Sequence, residues 1–462
     1  MRIPSLPVFS GDRLAGVLLA ATLASFLVPF YTSMVNIAIP AIGNAFLVST
    51  DTLAMLPTAY LISSVVFLIP AARISDIVGL RRVFTAGLCI SAAASLAAVF
   101  SVSIGMLLLC QIVAGIGFAC VVSNAFALLS VTYPPERRGG AIGVAVAGVY
   151  LGLTAGPILG GTLTSFLGWA SIYFFVCILC GITAGLVWFS VKREIFTTPG
   201  QPFDLWGSVL YSGVILFLMA GLIRISEPWA AVSLVIGAGL LLIFLRFERR
   251  TAYPVFPVRL FSDNRVFARA NLTTMINYGA TYAVSFFMSL YLQVIGVLTP
   301  MEAGLVMIAM PVVQMIFSPI TGRLSDRIGG RVLMTAGMFV TGAGLALFGF
   351  TGTVYNQTMI ILNLAVVGFG IALFGAPNTN LILGSVNRQD NGSANGIIAT
   401  MRQMGMVISM AVATCCILIF YQGVSGSPAG LVAAMHLTFA LGAVLSFIGG
   451  VVAWTAVQKT EQ

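Results

Sequence analysis

The chain has 462 residues, of which 59% are hydrophobic and 8% charged, and a formal net charge of +9. Soluble domains carry roughly 25% charged residues, so a water-soluble globule is excluded. The basic excess does not mark a nucleic-acid partner, because the arginines are confined to short segments between long apolar runs.

Apolar stretches of about twenty residues recur from end to end, each long enough to cross a hydrocarbon core of ~30 Å. Fourteen crossings are predicted, at 14–40, 53–72, 82–102, 105–130, 140–165, 170–191, 205–223, 230–247, 269–295, 301–321, 332–351, 358–385, 394–420 and 430–455. The first has no small-residue cleavage site after a short core and reads as a retained membrane helix, not a leader. An even number of crossings puts both termini on one side. With the N-terminus inside, every one of the 22 Lys and Arg residues lies on a cytoplasmic segment except Arg224 and Arg402. That asymmetry predicts cytoplasmic termini.

Two near-copies of one signature lie about half the chain apart. Ala72, Arg73, Asp76, Gly79, Arg81 and Arg82 are echoed by Gly322, Arg323, Asp326, Gly329 and Arg331, with Arg327 added. Each copy joins the second and third apolar segments of its half, which predicts two equivalent halves, as secondary transporters are built. In each copy a carboxylate, Asp76 or Asp326, sits among arginines. Such a group can latch neighbouring helices where water is partly excluded. Charge that only directs topology is the competing reading. The economical organisation is a six-helix bundle over 1–191, a linker with two additional spans over 192–268, and a second six-helix bundle over 269–462.

In the fifth segment Gly148, Gly152, Gly156 and Gly160 are spaced by four and share one helix face, with Gly161 beside them. Such a face lets a neighbouring backbone approach closely. Pro157 removes a helix hydrogen bond and is expected to bend the segment. Ordinary tight packing explains the glycines equally well.

No Asp or Glu falls in the middle of a predicted span, although proton relays through membranes normally use an embedded titratable group. His436, the only histidine, reads as a packed or interfacial residue. Arg402 is the one charge inside a helix, roughly 12 Å past the start of the thirteenth segment at 1.5 Å per residue. It is either an anchor bonded to carbonyls or a group that attracts an anionic or polar moiety in a central cavity. Tyr31, Gln111, Asn124, Asn277, Gln293, Gln314 and Asn378 are the other cavity candidates, and many polar residues of this kind simply bridge helices. The seven cysteines lie within spans and read as small packing residues, the Cys177 and Cys180 pair included. Without clustered His, Asp or Glu, neither an enzyme site, a metal site nor a cofactor is expected.

The ordered set of motifs resembles the major facilitator superfamily, specifically its fourteen-helix drug:proton antiporter branch. The resemblance runs through Val35 to Pro40, Thr58 to Leu61, the repeated loop signature, Pro134 to Gly139, Gly152 with Gly156-Pro157 and Gly160-Gly161, Tyr291 to Gln293, Ala303-Gly304, and Arg402-Gln403 with Gly405. It implies an all-α polytopic membrane protein with two six-helix bundles plus two linker helices. It also implies alternating access in a prokaryotic cytoplasmic membrane by a monomer, and export of lipophilic or amphipathic small molecules with protons as the coupling ion. The loop signature would be a cytoplasmic gate latch that stabilises the outward-facing state. Two positions depart from the branch. Tyr31 stands where its members usually place an acid in the first helix, and Gln111 where they place an arginine in the fourth. The departures weigh against a preference for cations and leave two rivals. One is a facilitator or flippase for a lipid-like or anionic compound, with Arg402 meeting the polar head. The other is a non-transporting receptor on a transporter fold.

Overall fold

A computed structural model describes residues 11–456, except 193, 199, 226, 257, 387–390 and 422–426, together with the side chains of 11–13, 135, 136, 138, 326 and 391–393. The first six helices are α1 (Gly11–Phe46), α2 (Thr50–Val78), α3 (Leu80–Val99), α4 (Ile104–Thr132), α5 (Pro135–Leu167) and α6 (Ala170–Ser190). A hairpin follows, of α7 (Leu205–Ile223) and α8 (Ala230–Arg250), and then a short α9 (Val258–Asp263). The remainder comprises α10 (Arg265–Thr281), α11 (Ala283–Leu290), α12 (Pro300–Met307), α13 (Ala309–Ile328), α14 (Gly330–Leu347), α15 (Gln357–Gly384), α16 (Asn391–Phe420) and α17 (Pro428–Thr455). Among the described residues 13 helices are long and apolar enough to cross a membrane. The predicted ninth crossing is present in pieces: α10 and α11 meet at Tyr282, and a π-helical turn, Tyr291–Ile295, extends them. This is an integral, all-helical membrane protein.

Local chemistry sets the helix ends. Ser103, Asp204, Asn264, Asn356 and Ser427 each accept a hydrogen bond from a backbone N–H in the first turn of the following helix. Thr299 and Glu302 cap α12 reciprocally, with Pro300 in its first turn. Gly79 and Gly329 close α2 and α13 at φ of 120° and 85°, in the left-handed region that a Cβ disfavours. The two loop signatures therefore share their turn.

Small residues hold the helices together where lipid offers no hydrophobic drive. A Cβ at Gly148, Gly152, Gly156 or Gly160 would strike α1, at Thr22, Phe26, Ser33 and Met34 respectively. The glycine face of α5 is therefore filled by its own half. Gly161 instead meets Pro300 and Met301 on α12, and Gly304 meets the carbonyl of Pro157. The carbonyl beside the helix-5 proline thus touches the other half of the chain.

The halves meet on the face that carries the α1–α2 and α5–α6 turns. Met301 N–H donates to Ser165 Oγ at 3.2 Å, and Gln293 Nε2 donates to the Ile37 carbonyl at 2.9 Å. At the opposite face, which holds both loop signatures, a Cβ added at Gly139, Gly140 or Gly143 of α5, or at Gly375 or Gly384 of α15, would meet nothing within 4 Å. The hairpin leans on one seam between the halves. The Tyr211 hydroxyl donates to the Val65 carbonyl on α2 at 3.0 Å, and Cys415 Sγ on α16 donates to the Leu222 carbonyl at 2.8 Å.

Gly304→Ala is expected to lower stability by ~1–3 kcal/mol, because the new methyl overpacks against the Pro157 carbonyl. Gly375→Ala, set in open space, should be neutral or gain up to about 1 kcal/mol from helix propensity. Thermal unfolding of the two purified variants in detergent distinguishes these outcomes.

Candidate functional site

The two positions that depart from the antiporter pattern touch each other. The Tyr31 hydroxyl on α1 donates to Gln111 Oε1 on α4 at 2.5 Å, and Gln111 Nε2 donates to the Tyr173 hydroxyl on α6 at 2.9 Å. Tyr31 packs on Tyr60 of α2 and Phe118 of α4, with ring centroids 5.3 and 5.0 Å apart. All five side chains are buried. Three helices are thus joined by neutral donors and acceptors, which satisfy one another without the desolvation cost of ions. Tyr31, Tyr60 and Gln111 line a cavity with Asn36, Pro57 and Tyr282 of about 10 Å³, room for one water at most.

Arg402 lies further toward the open face. It follows Asn391, the first residue of α16, by 11 positions, roughly 16 Å along the axis. Gly405 lets α16 settle against Met275 and Gly279 of α10, where a Cβ would strike backbone. This close approach brings the Tyr278 ring within 5.1 Å of the Arg402 guanidinium carbon. The Tyr150 and Ser318 hydroxyls bond nearby at 2.8 Å, joining α5 to α13. Arg402 Nε is buried without a hydrogen-bond partner. Among the described residues it has no ion-pair partner, and no carbonyl anchors it.

The other predicted cavity residues divide by role. Asn124 accepts from Ser75 and donates to the Cys120 carbonyl at 2.6 Å, pinning α2 to α4. Asn378 donates to the Thr274 hydroxyl at 2.7 Å and to the Ala270 carbonyl at 3.2 Å, pinning α15 to α10. Asn277 donates to the Met338 sulfur at 3.3 Å on α14. Gln293 fastens the two halves through Ile37, and Gln314 is buried on α13. His436 Nε2 pairs with the Thr351 carbonyl at 2.7 Å, a packed role. Tyr173 was not among the sequence candidates. An aromatic in an apolar sixth helix carries no periodic signal that would single it out.

The first loop signature is tied to the connector after α6. The Asp76 carboxylate accepts from the Thr197 hydroxyl, and its carbonyl accepts from Thr198 N–H at 3.1 Å. Arg73 donates to Gln201 at 2.7 Å. Glu194 Oε1 accepts from Arg81 N–H at 2.8 Å and Arg82 N–H at 3.3 Å, placing a carboxylate on the positive N-terminal end of α3. Its other oxygen is 3.6 Å from Arg82 Nε. The Asp76 carboxylate thus takes a hydroxyl donor, and the ion pair among the described residues of this cluster is Arg82 with Glu194. Arg81 also stacks on Trp188 of α6, and Arg331 on Trp454 of α17, each at 3.9 Å. These equivalent stacks reinforce the repeat, and both tryptophans sit near the end of the last helix of their half. The Asp326 side chain lies outside the described residues, while Arg323 and Arg327 are exposed.

The fold and this polar centre define a polytopic helical membrane protein of two repeated halves. The chain matches the Major Facilitator Superfamily over residues 21–256 and 270–462, and it belongs to that family of membrane transporters. It is 29% identical over 401 residues to multidrug resistance protein Stp of Mycobacterium tuberculosis, covering 86% of this chain and 74% of that protein. It is 27% identical over 458 residues to riboflavin transporter RibZ of Clostridioides difficile, covering 96% and 98%. In fold it is similar to a peptide transporter POT solved with sulfate, at a TM-score of 0.72 and 14% identity, over 97% of this chain and 96% of that one.

Tyr31→Asp or Gln111→Arg alone should cost about 3–5 kcal/mol by burying an unpaired charge. The double variant places opposite charges where the neutral pair now bonds, and it should recover much of that loss. A double-mutant cycle of unfolding midpoints measures the coupling.

Proposed function

We propose that this protein is a secondary active transporter that works by alternating access and exports lipophilic or amphipathic small molecules from the cell. In this reading 1–191 and 269–462 are the moving bundles, 192–268 is the linker, and a single chain suffices. The face with both loop signatures is cytoplasmic, along with the termini, in a prokaryotic cytoplasmic membrane. The conformation is then inward-facing. The observation that carries the reading is geometric. The halves meet at Gly161, Gly304 and Gln293 on one face, while a Cβ at Gly139, Gly140, Gly143, Gly375 or Gly384 toward the other would meet nothing within 4 Å. Relatives named for multidrug resistance support outward movement of small molecules. The 32 phenylalanines and 19 methionines of the chain provide adaptable apolar surface for such ligands.

The loop cluster acts as a gate latch in this scheme. In the inward-facing state Arg73, Asp76, Arg81 and Arg82 engage the connector through Gln201, Thr197 and Glu194. Reversal of the gate would exchange these partners. Protons are the coupling ion to test first, although the Tyr31–Gln111 pair lacks a carboxylate to carry them.

Retention of a lipophilic cation and of a neutral amphiphile would be measured in efflux-deficient cells expressing the protein, with and without a protonophore. Lower retention of the neutral amphiphile, abolished by the protonophore and smaller or absent for the cation, is the expected result. Unchanged retention of both, with the protein correctly inserted, would count against export of such compounds.

A further inference from the structure

We infer that Arg402 is the head-group site for an anionic amphiphile, one whose carboxylate, sulfonate or phosphate ends an apolar body. This deepens, and rests on, the export reading above. Three observations converge. First, the centre of the N-terminal half is electrically neutral, because Tyr31 and Gln111 occupy the positions of an acid and an arginine and satisfy each other. Second, Arg402 keeps its charge deep in α16 with a buried Nε that has no partner, and its described contact is the face of Tyr278. Arg73, Arg81 and Arg331 also have a buried Nε without a partner. Arg81, however, donates to the Trp188 carbonyl and Arg269 to the Thr455 carbonyl, whereas among the described residues Arg402 has no such bond. A buried donor left unpaired is unfavourable until an acceptor arrives. Third, the Tyr150 hydroxyl bonds Ser318 at 2.8 Å, joining α5 to α13 across the two halves with uncharged groups.

The charge balance selects the ligand. With one unpaired guanidinium and, among the described residues, no carboxylate in mid-span, the site repels a lipophilic cation. An anion gains charge-assisted, bidentate hydrogen bonds in a medium where they are strong. Its apolar body would lie against the Tyr278 ring, the described apolar neighbour of the guanidinium.

The test uses the full chain in lipid nanodiscs and three fluorescent amphiphiles that share a dansyl group and a decyl chain. They end in a carboxylate, a carboxamide or a trimethylammonium group, and empty nanodiscs correct for partition into lipid. The unaltered protein should bind the carboxylate about tenfold more tightly than the amide, with the cation weakest. Arg402→Gln should bring the three affinities together, and Arg402→Lys should keep the order with a smaller spread. Equal affinities in the unaltered protein would overturn the proposal, as would an anion preference that survives Arg402→Gln. Should Arg402→Gln fail to fold, the charge series in the unaltered protein and in Arg402→Lys still decides. Equal binding together with extrusion from cells would remove only the anion site and leave export standing. An absence of binding and of extrusion for all three would remove both.

Discussion

A hydrocarbon interior gives no water to a polar group, so every donor, acceptor or charge within it must find a partner in the protein or bear several kcal/mol of cost. Most of this structure follows from that constraint. The carboxylates stay near the helix ends, where loop hydroxyls and backbone amides meet them. The asparagines of α4, α10 and α15 become pegs between helices because their amides must bond to something nearby. The centre of the first half resolves the same demand without charge, as Tyr31, Gln111 and Tyr173 pass hydrogen bonds from α1 to α4 to α6. Arg402 keeps a buried Nε without a partner, as Arg73, Arg81 and Arg331 do nearer the loops, and of these four it lies deepest within a helix.

Packing adds a second requirement, because lipid does not drive helices together and only close backbone contact does. The glycines of α5 serve two neighbours. One face receives α1, its partner within the half, while Gly161 and the carbonyl of Pro157 receive α12. A single helix is therefore fixed on one side and set against the opposite half on the other. Close backbone contact thus serves α5 both within its own half and across to the other.

Much of this was legible in the sequence. Hydropathy marked the spans because a membrane helix must be apolar over its whole length, and the repeated loop placed the halves because charge is tolerated in so few places. The ninth crossing showed as one apolar run, and only the structure reveals its break at Tyr282 and its π-helical end, since hydropathy does not register backbone pitch. The site was harder to read. Tyr31 and Gln111 were visible as departures from a pattern, but their mutual bond depends on the angle between α1 and α4, which no linear spacing encodes. Glu194 could have been suspected from its place just after α6, yet its role arises because Gly79 turns α3 toward the connector. Trp188 and Trp454 were hidden for a simpler reason: a tryptophan near a membrane interface is ordinary until a particular arginine is seen beneath it.

The α7–α8 hairpin leaves the molecule lopsided. Two related seams run between the halves, α2 beside α16 on one flank and α5 beside α13 on the other. The hairpin covers the first through Tyr211 and Leu222, and it presents Val232, Val235, Leu242 and Ile243 outward in place of the seam. On the second flank Leu151, Ile316 and Ile320 themselves form the outer surface. A solute dissolved in the bilayer thus meets two different walls, one two helices thick and one a single helix thick. The internal repeat is twofold in architecture, but its shoreline with the lipid is not.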